Sequence, residues 1–418
     1  MSGVLRRVRP SDLEVRGHVA PDAEVARTAA EIVEDVRERG EEAVRHHAER
    51  LGDIVPGQTL VRDRQDLRAA FESLEEETRQ LLARIHRRIE GFSRAQREGL
   101  SDLNVQVDGG QAGHRWIPVN SVGAYAPGGR YPLPSSVLMT VTPARVAGVT
   151  SVWVASPRPT ELTLAAAWVA GADGLLAVGG AQAMAALAYG TVGPPADLLV
   201  GPGNKWVVAA KRHLVGEVGI DGLAGPSEIL VIADDTADPS LVAADLLAQA
   251  EHDVDAVPTL VTPSERLAGA VDEALASQLI DLPTAEVAGA ALSNGLCVLV
   301  RDLRHAAEVS DSLAPEHLAL HVEDPRAVAL QVRNYGTLFV GHGSAEAFAD
   351  YGVGPNHVLP TGGGARFAAG LSVFTFLKPA TWLSVDRPDL LIEDTARLAR
   401  LEGLEAHARA ALARGRAG

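Results

Sequence analysis

Residues 227–262 read SEILVIADDTADPSLVAADLLAQAEHDVDAVPTLVT, and the order of elements in this stretch decides the fold. Glu228-Ile-Leu-Val-Ile-Ala233 has the length and composition of a strand. A helix follows over 238–252, and Thr259-Leu-Val-Thr262 is the next strand. Strands that alternate with helices predict parallel sheets. The same texture extends in both directions. Upstream, Ser151-Val-Trp-Val-Ala155 precedes a helix over 160–171, and Gly174-Leu-Leu-Ala-Val178 precedes one over 181–189. Asp197-Leu-Leu-Val200 leads into Gly201-Pro-Gly-Asn204 and a helix over 205–215. Downstream come a helix over 264–277 and the strands Leu296-Cys-Val-Leu-Val300 and Thr337-Leu-Phe-Val340. Two such sets predict two α/β lobes and suggest a duplication, although no sequence repeat is visible.

Residues 21–100 read as helical. Pro21-Asp-Ala-Glu24 opens one helix with acids in its first turn, which suits the helix dipole. Val25, Ala29, Ile32 and Val36 then recur at helical spacing. A second helix is predicted from about Leu67 to Gln96. Roughly the last 40 residues read as helical and Arg-rich, too short to stand alone and therefore expected to dock on something.

Composition narrows the function classes. The 418 residues suffice for roughly two to three domains. Apolar residues make up 46% and aromatics only 4%, which favours α/β packing over an aromatic-rich sandwich. A net charge of −16 without a basic stripe argues against nucleic-acid binding. Lys205, Lys211 and Lys378 are the only lysines, read as compositional bias without chemical meaning. The single cysteine, Cys297, excludes intrachain disulfides and a Cys-based zinc site, and its apolar setting predicts a buried strand position. The N-terminus lacks the apolar stretch of a signal peptide, and no run of about 18 apolar residues occurs. The expectation is a cytoplasmic protein with no membrane partner.

Four polar constellations stand out. Gln249 and His252, three residues apart on one helix, can face one ion, with Glu251 off that face. His with carboxylate and amide oxygens suits a borderline cation such as Zn²⁺, Mn²⁺ or Co²⁺. A capped helix end explains the pair equally simply, and no HExxH is present. Ala314-Pro315-Glu316-His317 opens the apolar strand Leu318-Ala-Leu320, and Pro315 should push Ala314 toward extended backbone. Glu316 and His317 thus fall at a loop-to-strand edge, where they could serve as an acid/base pair or form a plain surface dipeptide. Asp350-Tyr-Gly-Val-Gly-Pro-Asn-His357 reads as a binding loop or a long turn. The turns Tyr125-Ala-Pro-Gly-Gly129, Gly179-Gly-Ala-Gln182 and Gly201-Pro-Gly-Asn204 each join strand to helix, where backbone N–H groups can receive phosphate. None is GxGxxG, so spacing does not identify a dinucleotide site.

Together these segments resemble the histidinol dehydrogenase family over nearly the whole chain. The most specific words are Pro134-Ser-Ser-Val-Leu-Met139, Gly201-Pro-Gly-Asn204, Ala224-Gly-Pro-Ser-Glu-Ile-Leu-Val-Ile-Ala-Asp234, Leu247-Ala-Gln-Ala-Glu-His252, Ala314-Pro-Glu-His317 and Gly354-Pro-Asn-His-Val-Leu-Pro-Thr361. The resemblance implies NAD-dependent oxidation of L-histidinol to L-histidine through an aldehyde, with zinc holding the substrate. It implies Gln249, His252, Asp350 and His407 as zinc ligands and Glu316 and His317 as the catalytic pair. The zinc ligands, with Ser227, His317, His357 and Glu402, would contact substrate. Tyr125, Gln182 and Asn204 would contact NAD. It also implies a homodimer with shared active sites, in which the tail brings Glu402 and His407 to the neighbour's site.

The expected architecture is two Rossmann-like lobes with parallel sheets, a small N-terminal helical segment and a swapped helical tail. The boundaries are an N-terminal segment 1–20, a metal-bearing lobe of 21–125 and 227–371, an NAD lobe of 126–226, and a tail of 372–418. One departure is Arg130-Tyr-Pro-Leu133, similar to paralogues that oxidise other alcohols such as sulfonated diols. Such a dehydrogenase is the alternative reading, with a metal-dependent hydrolase behind it.

Overall fold

The computed structural model describes residues 4–13, 22–128 and 132–415. Arg130 and Tyr131, the departure from the family pattern, lie outside the described residues.

Two six-stranded sheets organise the chain. In the first, the order is Arg6–Val8, Leu296–Leu299, Val257–Thr262, Glu228–Ala233, His317–His321, Thr337–Val340, all parallel. In the second it is Val61–Arg62, Gly174–Leu176, Ser151–Ala155, Ser121–Tyr125, Leu198–Val200, Gly219–Ile220. This sheet is parallel except where Val61–Arg62 runs against Gly174–Leu176. Counting from Glu228 and from Ser121, each sheet follows the order 3-2-1-4-5, with an earlier strand added beside strand 3. Both lobes thus share the doubly wound topology, as a duplication would leave them.

The strands are almost wholly buried because helices cover both faces of each sheet. Helices Ala23–Arg39, Glu41–Arg50, Gly180–Tyr189 and Lys205–Leu214 pack on one face of the second sheet. Helices Glu76–Glu98, Pro134–Ala147 and Glu161–Ala170 pack on the other. Pro239–Ala250, Glu265–Leu279 and Ala285–Leu292 cover one face of the first sheet, where Cys297 is buried as expected. Among the described residues no helix is long and apolar enough to cross a membrane.

Several expectations are corrected. Ser121–Tyr125 belongs to the centre of the second sheet, and Val61–Arg62 to its edge, not with the 227–371 lobe. Sheet membership is set by hydrogen bonding to distant strands, which chain order does not reveal. Where described, the N-terminal segment is a strand followed by a single 3-10 turn, Pro10–Asp12, and not an α-helix. Arg6–Val8 is an edge strand on Leu296–Val298, too short for its period to register. The helix expected from Leu67 to Gln96 is two, Arg64–Ser73 and Glu76–Glu98, broken by extended Leu74. The tail is not all helix either. Leu377–Val385 is a strand that pairs with Gly110–Pro118, which in turn pairs with Leu103–Val107 in an antiparallel arm.

Beyond that arm, helices Asp389–Leu401 and Glu405–Arg414 pack on each other through Ala396, Ala399 and Ala408. Leu398, Leu401 and Leu404 remain exposed there. Nor are the lysines without meaning. Lys211 is buried, and its Nζ donates at 2.6 Å both to Asp221 and to the Gly201 carbonyl. Asp221 in turn accepts the Gly201 N–H at 2.6 Å, so this pair fixes the Gly201-Pro-Gly-Asn204 turn.

Candidate active site

The last turn of helix Pro239–Ala250 and the short helix Glu346–Asp350 converge on the opening of strand His317–His321. The helix carrying Gln249 ends at Ala250, so His252 lies just past it, with its N–H on the Gln249 carbonyl at 3.3 Å. Glu251 points away and accepts from Thr284 at 2.8 Å. His252 Nε2 faces Asp350 at 3.6 Å. Ligand atoms of His252, Glu346 and Asp350 all lie within 4.8 Å of one another, an arrangement able to hold a cation.

Gln249 is buried against Glu346, the Glu228 carbonyl and His317. Oriented with its nitrogen toward them, Nε2 lies 3.0 Å from His317 Nδ1, 3.1 Å from Glu346 Oε1 and 3.2 Å from the Glu228 carbonyl. The opposite orientation sets oxygen against acceptors. That orientation turns the amide oxygen to the opposite side. Imidazole, carboxylate and amide oxygen form a donor set that fits zinc.

His317 is 4% exposed, and its Nδ1 lies 3.2 Å from the Glu228 carbonyl. A carbonyl only accepts, so Nδ1 carries the hydrogen and Nε2 presents its lone pair. Nε2 is buried with no partner. Burial lowers the imidazole to about 4, so it stays neutral at physiological pH. That is the state of a proton acceptor awaiting a substrate. Beside it, Glu316 is buried and accepts the Glu228 N–H at 2.9 Å. Desolvation pushes its carboxyl well above the usual range, which makes it a stronger base once ionised. Burial raises Glu346 similarly, with Asp350 and Glu316 adding to the effect. Burial also opposes the charge of Asp350, but His252, His357 and His317 outweigh it and hold that carboxyl low. Asp350 in return raises His252.

Pro315 does not make Ala314 extended. Ala314 is left-handed, at φ 52°, and its N–H closes helix Leu303–Leu313 on the Ser310 carbonyl at 2.8 Å. Terminating the helix outweighs the pre-proline preference. The pair also opens its strand rather than closing it, so this lobe uses the amino edge of its sheet and not the carboxyl edge expected of α/β folds.

His357 joins the two lobes. Its Nδ1 lies 3.0 Å from the Asp350 carbonyl and its Nε2 3.2 Å from Ser136 Oγ, on helix Pro134–Ala147 of the second lobe. Asn356 donates to the Met139 carbonyl at 2.7 Å and ties the same loop to that helix. Ser227 is half-buried directly before strand Glu228–Ala233.

Tyr125, Gln182 and Asn204 stand at the carboxyl edge of the second sheet. The Gly180 N–H reaches the buried Tyr125 hydroxyl at 3.4 Å, and burial pushes that phenol up to about 12. Gln182 donates to Asp53 at 3.2 Å, leaving its own oxygen buried and unpartnered. Asn204 is exposed and caps helix Lys205–Leu214, accepting from Trp206 at 3.0 Å. Gly201 is required there, since a Cβ would stand 2.1 Å from the Tyr125 carbonyl. Glu402 and His407 are exposed on the tail and join none of these groups within one chain.

Sequence reasoning missed Glu346, Ser136 and Asp53. Glu346 left a trace in its four-residue spacing to Asp350, one helical turn, and Ser136 in the family word Pro134-Ser-Ser-Val-Leu-Met139, whereas Asp53 left none.

A doubly wound protein with a neutral buried imidazole beside a buried carboxyl and a cation-type donor set belongs to the class of α/β enzymes with an acid/base site. Comparison with known proteins narrows the class. The family model described as histidinol dehydrogenase matches residues 16–415. A histidinol dehydrogenase of Thermus thermophilus is 50% identical over 382 residues, covering 90% of this chain and 92% of that protein. One from Parasynechococcus marenigrum is 46% identical, covering 90% and 88%. The crystal structure of histidinol dehydrogenase from Elizabethkingia anophelis superposes with a TM-score of 0.93 at 29% identity, over 99% of this chain and 98% of that one. The chain belongs to the histidinol dehydrogenase family.

Proposed function

We propose that this chain oxidises L-histidinol to L-histidine in two successive hydride transfers at the Glu316/His317 site. The observation that carries the reading is the buried, unpartnered Nε2 of neutral His317 beside the His252, Glu346 and Asp350 cluster. Gln249, His252 and Asp350 would hold zinc, and His407 of a second copy would complete the set. Zinc, when bound, supplies a Lewis acid that fixes the substrate's amine and imidazole. NAD, bound along Tyr125, Gln182 and Asn204, supplies the hydride acceptor.

His317 Nε2 takes the hydroxyl proton as hydride leaves the carbinol carbon. Its Nδ1–H stays on the Glu228 carbonyl throughout, so Nε2 is the nitrogen that gains and loses the proton. After the aldehyde forms, Glu316 removes a proton from the attacking water, and the resulting hydrate anion loses its hydride to a second NAD, leaving the carboxylic acid of L-histidine. Ser227, His357 and Glu402 would position the substrate. Exposed Phe348, Tyr351 and Val353 beside Asp350, and exposed Leu398, Leu401 and Leu404 on the tail, support a homodimer in which each tail covers the other's site. The test follows NADH absorbance with and without a chelator. L-histidinol should yield two NADH per molecule and lose that yield with metal removal. Turnover of another alcohol but not histidinol would overturn the substrate, and turnover unaffected by complete metal removal would overturn the zinc.

A further inference from the structure

Within that reading, the amide of Gln249 poses a physical problem. A neutral amide has two nearly isosteric ends. One attracts a cation and the other repels it. In a buried site the orientation has to be set by partners. On the nitrogen side of Gln249 stand two oxygens, the Glu228 carbonyl at 3.2 Å and Glu346 Oε1 at 3.1 Å, together with His317 Nδ1 at 3.0 Å. His317 Nδ1 carries its hydrogen toward the Glu228 carbonyl and offers no lone pair, so the amide's two N–H bonds go to the two oxygens. The Glu228 carbonyl also receives His317 Nδ1, so the base and the ligand are aligned on one oxygen. Main-chain Glu228 is fixed by the strand. Glu346 is the acceptor supplied by a side chain, at 2% exposure on the same short helix as Asp350.

We propose that Glu346 is a positioning residue for the metal, accepting one N–H of Gln249 so that the amide oxygen faces the cation held with His252 and Asp350. The competing role is direct ligation, since Glu346 also lies within the 4.8 Å cluster. The two roles differ in what they need. A positioning carboxylate acts only through Gln249. A ligating one acts without it.

The experiment is a double-mutant cycle on zinc affinity in the full-length protein, read by competition with a chromophoric chelator and independent of turnover. Glu346→Met fills similar space without an oxygen acceptor, and the comparison requires that the variant keep its fold. Circular dichroism checks this. Zinc should bind about 10–100-fold more weakly in Glu346→Met, as for loss of an outer-shell partner. Glu346→Gln, whose amide oxygen still accepts from Gln249, should stay near the parent. In a Gln249→Ala background, Glu346→Met should cost nothing further. An unchanged affinity in Glu346→Met, loss in Glu346→Gln equal to that in Glu346→Met, or a full additional loss in the Gln249→Ala background would each overturn the proposal. A parent protein that takes up no zinc would overturn the zinc reading itself, and this inference with it.

Discussion

His317→Asn separates the two ends of one imidazole. The asparagine Nδ2 can take the place of Nδ1 and donate to the Glu228 carbonyl, now contacted at 3.2 Å. Nothing replaces Nε2, which in the parent is buried and unpartnered. At about 4 the parent imidazole carries a proton in roughly one molecule per thousand at pH 7, so nearly all of the enzyme holds the competent base. A positioned base contributes about 10²–10⁴-fold to rate. That corresponds to about 3–5 kcal/mol of barrier. Because proton transfer to Nε2 occurs only in the transition state, kcat and kcat/KM should fall together by that factor, with KM for histidinol little changed. The assay is NADH formation at saturating NAD, with zinc content and circular dichroism measured on the same preparation. Both hydride steps should slow, and zinc should stay bound. A His317→Asn enzyme that is folded, metal-loaded and within about tenfold of parental kcat would remove His317 from the role of base.

Two further outcomes follow from the same geometry. On the proposed ligand set, in which a second copy's His407 completes the zinc site, His407→Ala should lose zinc, and it should remain dimeric by sedimentation because the exposed tail leucines are unchanged. Full metal loading would show that the tail donates nothing. The second concerns pH. His317 is lowered to about 4 in the folded chain and titrates near 6.5 when unfolded, so between these values the unfolded chain binds the extra proton. Its contribution to stability is therefore lost as pH falls from about 6.5 toward 4. In metal-free protein, His317→Asn should flatten that decline in urea midpoints relative to the parent, and parallel declines would show that His317 is not buried neutral.

Much of the site was readable as words but not as geometry. Gln249 and His252 declared themselves by spacing, and Glu316-His317 by adjacency. Asp350 and His357 declared themselves only as polar residues in a glycine-rich loop. Glu346 sat among alanines and phenylalanine in a helix of five residues, Glu346–Asp350, where nothing marks a carboxylate as buried. Ser136 lay in a quoted family word but gained a role only when the loop around His357 crossed to the other lobe. Asp53 is far in sequence from Gly179 and Gln182, whose N–H groups it accepts at 2.9 and 3.2 Å.

The chain order of apolar runs and helices pointed to parallel sheets in two α/β lobes, since parallel neighbours need a long crossover that a helix supplies. Local chemistry likewise determined which side chains were fit to bind an ion or move a proton. Tertiary structure alone decided which sheet received Ser121–Tyr125, that the tail contained a strand for the antiparallel arm, and that Nε2 of His317 lost every partner. The physical reason is that pairing and desolvation are set by groups remote along the chain. Spacing along a sequence carries no measure of how much water remains around an atom.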